Sequence, residues 1–319
     1  MPKVIRMLSA ESTWEPAQLE IDKGLIQPFH LPRLLNLESA NVFTVLKMFA
    51  EGWWWKAGAN GKMVLTPPTA GSFDGVVGYF IESLNTIGDL CMRDHIAKRR
   101  KISQEVVGDF GKGEMVEVEV EGKVEKVDRV HGQAAQSHYG QVQNFLLLDL
   151  VPLFAKLPVD FAIWTAHEAK GEDKETKATV FGPASVGSAA VAKTAQKFGN
   201  TFHLDWVTPG KRGAYYTSHP DPTIPSIKWP AKVSLPPSLI PKFEAKFKGG
   251  FIPLGLEKGI EQYFEFRKDC GLSKGVGQGN LFDAPRAVTC LLYGASDLGK
   301  TTAAGHMARW ACEGGKGEK

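Results

Sequence analysis

Ala287-Val-Thr-Cys-Leu-Leu-Tyr293 runs directly into Gly294-Ala-Ser-Asp-Leu-Gly299-Lys300-Thr301-Thr302, and a proline-free stretch continues to Cys312. The first seven residues read as an apolar strand and the residues after Thr301 as a helix, so a G-x-x-x-x-G-K-T turn joins strand to helix. Its glycines let the backbone curl until successive N–H groups converge, and the helix adds the positive end of its dipole. Such a cradle suits phosphate oxygens. Gly294, Ala295, Ser296, Asp297, Leu298, Gly299, Lys300, Thr301 and Thr302 are the candidate cradle residues. Lys300 supplies charge to the β- and γ-phosphates, and the Thr301 hydroxyl is a ligand for Mg²⁺.

A turn of this kind ordinarily opens its domain, because its strand sits in mid-sheet and the other strands are laid down after it. Here 18 residues follow Thr301, enough for one helix. The remaining strands must come from earlier in the sequence, which predicts a circularly permuted α/β domain. Residues 1–267 form its body, the glycine-rich stretch 268–286 is a flexible connector, and 287–319 supply the strand and helix that complete it.

Composition narrows the class. The chain has 319 residues, 43% hydrophobic and 23% charged, the balance of a globular protein. A net charge of +3 leaves any nucleic-acid binding to a local basic surface. Cys91, Cys270, Cys290 and Cys312 form no C-x-x-C pair, which argues against a zinc site and against a disulfide scaffold. The most apolar run, Phe145 to Phe154, is broken by Asp149 and Pro152 and is too short to span a bilayer. The expectation is a soluble protein of a reducing cytoplasm.

Read in permuted order, the chain resembles the RecA-like P-loop ATPases, most closely the small phage-encoded nucleotide-binding proteins of that superfamily, some linked to single-strand annealing recombination. The resemblance covers Met1 to Ile252 plus Ala287 to Cys312. It implies a mostly parallel sheet flanked by helices, with ATP and Mg²⁺ as cofactors and the cytoplasm of a phage-infected bacterium as location. Glu11, ending Leu8-Ser-Ala-Glu11, matches the acid that orients the attacking water; its competing reading is a surface carboxylate at a strand end. Glu82, ending Val76-Val-Gly-Tyr-Phe-Ile-Glu82, matches the Walker B acid on the Mg²⁺ side, where the family usually carries Asp. A cap on the helix Leu84 to Lys98 is its other role. His167, at the tip of Asp160-Phe-Ala-Ile-Trp-Thr-Ala166, matches the γ-phosphate sensor, against a plain structural hydrogen bond. Catalysis thus falls to Glu11, Lys300 and His167, and metal binding to Thr301 and Glu82.

The rest of the chain adds weaker signals. The resemblance places a DNA-contacting loop at residues 170–187, against a merely solvated loop; Lys98 to Lys101 form a basic cluster whose ordinary reading is a solvated helix end; Lys211 or Arg212 is a plain turn charge or, by the resemblance, a cationic finger. Met115 to Val127 alternates around Glu121-Gly122-Lys123 as a β-hairpin does. Trp53, Trp54 and Trp55 cannot all face one core; packing is their main reading, stacking on a base the other. The leading function is Mg²⁺-dependent ATP hydrolysis in phage DNA metabolism. The alternatives are a non-hydrolysing, nucleotide-gated module for single-stranded DNA and a packaging motor, the latter requiring a homo-oligomeric ring.

Overall fold

Val4–Ser9, Val76–Glu82 and Val288–Gly294 are almost entirely buried, as is Phe161 to Ala166. A strand covered on both faces belongs inside a parallel sheet with helices on either side. The computed structural model has that architecture. It describes residues 2–11, 14–31, 42–57, 63–102, 115–120, 123–128, 136–172, 179–186, 191–220, 228–272 and 287–313.

Nine strands share one sheet: β1 (Val4–Ser9), β2 (Ile26–His30), β3 (Val76–Glu82), β4 (Phe161–Glu172), β5 (Thr179–Pro183), β6 (Asn200–Thr208), β7 (Lys211–Tyr215), β8 (Phe251–Leu254) and β9 (Val288–Gly294). Their spatial order is β8-β7-β6-β9-β4-β3-β1-β2, with β5 pairing the far half of β4. From β6 to β2 every pairing is parallel. Strands β7 and β8 extend the sheet antiparallel at one edge. The chain is therefore an α/β protein with a mostly parallel central sheet, and the strand that comes last in sequence lies inside it.

Side chains leave the central strands on alternate faces and sort into two cores. Trp164, Tyr79, Ile81, Leu291 and Tyr293 join the core under the helices Val42–Ala50, Leu84–Ile102 and Gln136–Asn144. Phe161, Ile163, Phe80, Cys290 and Leu292 join the opposite core, under the helices Ile240–Lys246, Glu261–Asp269 and Lys300–Glu313. Ala303, Ala304 and Ala308 let the last helix lie close to the sheet. Arg309 Nη1 reaches the buried Glu20 carboxylate at 2.6 Å, tying that helix to Gln18–Asp22.

Several local expectations are met and others shift. The chain between the first two helices returns as β2, and β6 and β7 form an antiparallel pair about Pro209 and Gly210. Strand β4 does not end at Ala166. It runs on to Glu172 because β5 pairs the backbone of residues 168–172. The helix Gln136–Asn144 opens into one wider turn, Phe145–Leu150, just before Pro152. Proline supplies no N–H to the regular ladder there. Met115–Val120 and Lys123–Asp128 pair as the expected hairpin. Trp54 is buried and Trp55 stacks on Phe29 with ring centroids 4.8 Å apart, so these two tryptophans are packing residues. The helix Glu261–Asp269 crosses the expected boundary at residue 267, and most of the connector, 273–286, lies outside the described residues. So do residues 173–178 and the side chains of Lys98 to Lys101. No described helix is long and apolar enough to cross a membrane.

Trp164 is fully buried in mid-sheet and meets Phe154 edge-on at 5.4 Å and Phe198 at 6.1 Å. Trp164→Ala should cost about 3–5 kcal/mol in urea unfolding, as large-to-small changes of a buried aromatic do; a loss under about 1 kcal/mol would mean this core is not packed as described.

Candidate functional site

The carboxyl ends of β1, β3, β4 and β9 lie side by side, with Ser9 level with Glu82 and His167 level with Gly294. At this end of a parallel sheet the strands hand over to loops, and side chains from several strands converge.

β9 stops at Gly294 and the helix begins at Lys300. The turn between them needs its glycines. A Cβ on Gly294 would stand 2.4 Å from the Leu204 carbonyl oxygen, and Gly299 has φ +87°. Asp297 also takes a left-handed conformation, φ 65°. The first N–H groups of the helix have no intrahelical acceptor and face this turn. Lys300 bends back across it, its Nζ donating to the carbonyls of Gly294 at 3.0 Å and Ala295 at 2.7 Å. Burial lowers the lysine pKa, while the charges of Glu11, Glu168, Glu82 and Asp297 hold its proton on. Four carboxylates thus surround one lysine, an excess of negative charge that a bound cation would offset.

Next to Lys300, the Thr301 hydroxyl donates to Glu82 Oε1. Ser9 Oγ lies 2.8 Å from Glu82 Oε2, so one buried carboxylate joins the ends of β1 and β3 to the start of the last helix. Burial pushes the Glu82 pKa up; the two hydroxyls and Lys300 pull it down, and Glu11 adds to the upward push. Both carboxylate oxygens are engaged by hydroxyl groups of other elements. The Glu82–Ser83 peptide bond is cis.

Glu11 stands beyond Ser9, half-exposed. Its Oε1 accepts from Thr86 Oγ1 at 3.0 Å and lies 3.2 Å from His167 Nε2. The bond to His167, helped by Thr86 and Ser83 and opposed by burial, holds the Glu11 carboxyl at about 2, so it is ionised and the imidazole nitrogen donates. Asn85 Oδ1 fixes this side of the site, accepting from Ser83 Oγ at 2.6 Å and from the His167 backbone N–H at 3.2 Å. The sequence-predicted residues Glu11, Glu82, His167, Lys300 and Thr301 therefore gather at one sheet end. Ser9 and Thr86 are added by the fold; a lone hydroxyl near a strand end carries no sequence signal.

Beside Gly299 and Thr302 lies a small cavity of about 20 Å³, with Leu204, Arg212, Ile260, Leu298 and His306 among its walls. Arg212 Nη1 comes within 3.0 Å of where a Gly299 Cβ would be, so this arginine stands by the turn of its own chain, whereas Lys211 points to solvent. Comparison of the chain with protein-family models, curated proteins and solved structures gives no match.

With its folded pKa raised, Glu82 disfavours the native state once ionised, so its contribution to stability falls as pH rises above the ordinary carboxylate range. Without a divalent cation, Glu82→Gln should unfold at higher urea than the parent at pH 7, and the difference should shrink at pH 4, where the parent carboxyl is protonated. A variant less stable at both pH values would refute the burial cost assigned to this carboxylate.

Proposed function

We propose that the chain is a Mg²⁺-dependent ATPase of RecA-like architecture in which the turn 294–299 is a phosphate loop. The observation that carries the reading is the junction of Lys300, Thr301 and Glu82: a lysine and a hydroxyl opening a helix after an interior parallel strand, with a buried carboxylate on the hydroxyl. In a complex with nucleotide, Lys300 leaves its two carbonyls for the β- and γ-phosphates, and the turn's N–H groups take phosphate oxygens. Thr301 and Glu82 hold Mg²⁺, which would offset the excess of carboxylates around Lys300.

Glu11 is ionised and half-exposed, so it can accept a hydrogen bond from the attacking water and align it on the γ-phosphorus. His167 positions Glu11 and, by its place next to Gly294 in the sheet, senses the γ-phosphate. The strand order supports the RecA-like assignment: β4, bearing His167, separates the loop strand β9 from β3, bearing Glu82, and β1, leading to Glu11, comes next. The permuted connection is supported by the Arg309–Glu20 ion pair, which packs the helix after the loop against the first crossover of the chain. Coupling of turnover to single-stranded DNA, in phage recombination, is the context we assign.

The test is steady-state ATP hydrolysis with Mg²⁺, with and without single-stranded DNA. Lys300→Ala should cut turnover at least about 100-fold while its melting curve still shows a cooperative fold. Glu11→Gln should keep nucleotide affinity within about threefold and lower kcat by about 10²–10⁴, the usual worth of a positioned base. Unchanged turnover in Lys300→Ala would sink the assignment; nucleotide binding without turnover in the parent would leave the non-hydrolysing module.

A further inference from the structure

On the other side of β4 from the Glu11 cluster, β6 carries His203 and Asp205 two residues apart, and therefore on one face of the strand. The chain turns into β7, which pairs Tyr215 opposite His203, and four residues later delivers His219 to the same face. His203, Asp205 and His219 each offer one ligand atom, and these atoms all lie within 4.8 Å of one another. The two imidazoles meet nitrogen to nitrogen, His203 Nδ1 to His219 Nε2 at 3.1 Å. Two nitrogens bound to one tetrahedral zinc at 2.0–2.1 Å stand about 3.3 Å apart, so the rings are already near the spacing of a shared ion.

The surroundings fix which atoms are lone pairs. His203 is buried, and its Nε2 lies 3.3 Å from Glu168 Oε2. With the Glu168 carboxylate as acceptor, His203 Nε2 donates and Nδ1 accepts from His219 Nε2–H; an ion taken up between the two rings would displace that proton and leave both nitrogens as donors to the metal. A carboxylate behind a histidine in this way orients and strengthens metal-binding imidazoles. Trp229 stacks on the His203 ring at 4.5 Å, and Tyr215 stacks on His219 at 3.8 Å, so neither ring turns freely. Asp205 Oδ1 accepts the Trp206 N–H at 2.7 Å, which sets the carboxylate and leaves Oδ2 for a ligand.

We propose that His203 Nδ1, His219 Nε2 and Asp205 Oδ2 form a binding site for one divalent transition-metal ion of the zinc class, closed by water. Two imidazoles and a carboxylate select a borderline metal over Mg²⁺, which prefers oxygen donors. The cysteine spacing that spoke against zinc does not bear on this site, whose donors are histidine and aspartate. A bound ion would pin the chain after β7 to the face of β6. None of the three donors is Lys300, Thr301, Glu82 or Glu11; the two sites meet only at Glu168, which lies behind His203 and also acts on Lys300.

The experiment is calorimetric titration of the full-length, tag-free protein with Zn²⁺ alone, repeated with Co²⁺ to read the visible ligand-field bands of a low-coordinate site, in buffer containing millimolar Mg²⁺. One Zn²⁺ per chain is expected. His219→Ala and Asp205→Asn should each weaken uptake by at least 10-fold, while Glu11→Gln should leave it unchanged. Asp205→Asn keeps the shape of the side chain and serves as the decisive variant if His219→Ala fails to fold, as judged by circular dichroism. Absence of uptake in the presence of Mg²⁺, or uptake that survives Asp205→Asn undiminished, would overturn the proposal and leave the two histidines as a hydrogen-bonded aromatic stack.

Discussion

One buried carboxylate organises this end of the molecule. Glu82 is 2% exposed, yet it stands where three separately encoded pieces of chain meet: β1 through Ser9, β3 through its own backbone, and the last helix through Thr301. A carboxyl group placed there without partners would be costly, and the two hydroxyls reduce that cost only in part, which is why its pKa remains raised. The fold accepts a locally unfavourable group at the point where the strand ends converge.

The neighbouring charges follow the same logic. Glu11 is ionised and held by His167 and Thr86, whereas Glu82 is driven toward its neutral form by burial. Two carboxylates in adjacent positions are thus separated in protonation behaviour by their environments, the pattern in which one group handles a proton or water and the other a cation. Lys300, desolvated and near several acids, lies across its own turn, donating to two of its carbonyls. The sheet makes this possible because its parallel strands end together, so that residues as far apart as Glu11 and Lys300 reach one place.

Much of this was readable in the chain. The strand-turn-helix of 287–312 has a signal that is local: an apolar run, two glycines at fixed spacing and a helix-compatible tail. The apolar strand ending in Glu82 and the apolar run leading to His167 were readable for the same reason, since a buried parallel strand is a continuous apolar segment. The β4 boundary was missed because its continuation depends on β5, a partner that a single segment does not announce. The hydroxyls of Ser9 and Thr86 were missed because serine and threonine carry no distinctive pattern at strand ends. The His203-x-Asp205 spacing was visible as an alternating pair on a strand, but its meaning required His219.

The sequence by itself determined the α/β class, the strand-turn-helix of 287–312 and the apolar strand that ends in Glu82, because these follow from short-range periodicity and from the conformational freedom of glycine. Only the tertiary structure decided that the last strand lies between β4 and β6, that Thr301 rests on Glu82, that Glu11 is paired with His167, and that His203 faces Asp205 and His219. Those facts depend on contacts between residues separated by tens to hundreds of positions. Burial, which sets the protonation of each group, exists only after the helices have covered both faces of the sheet.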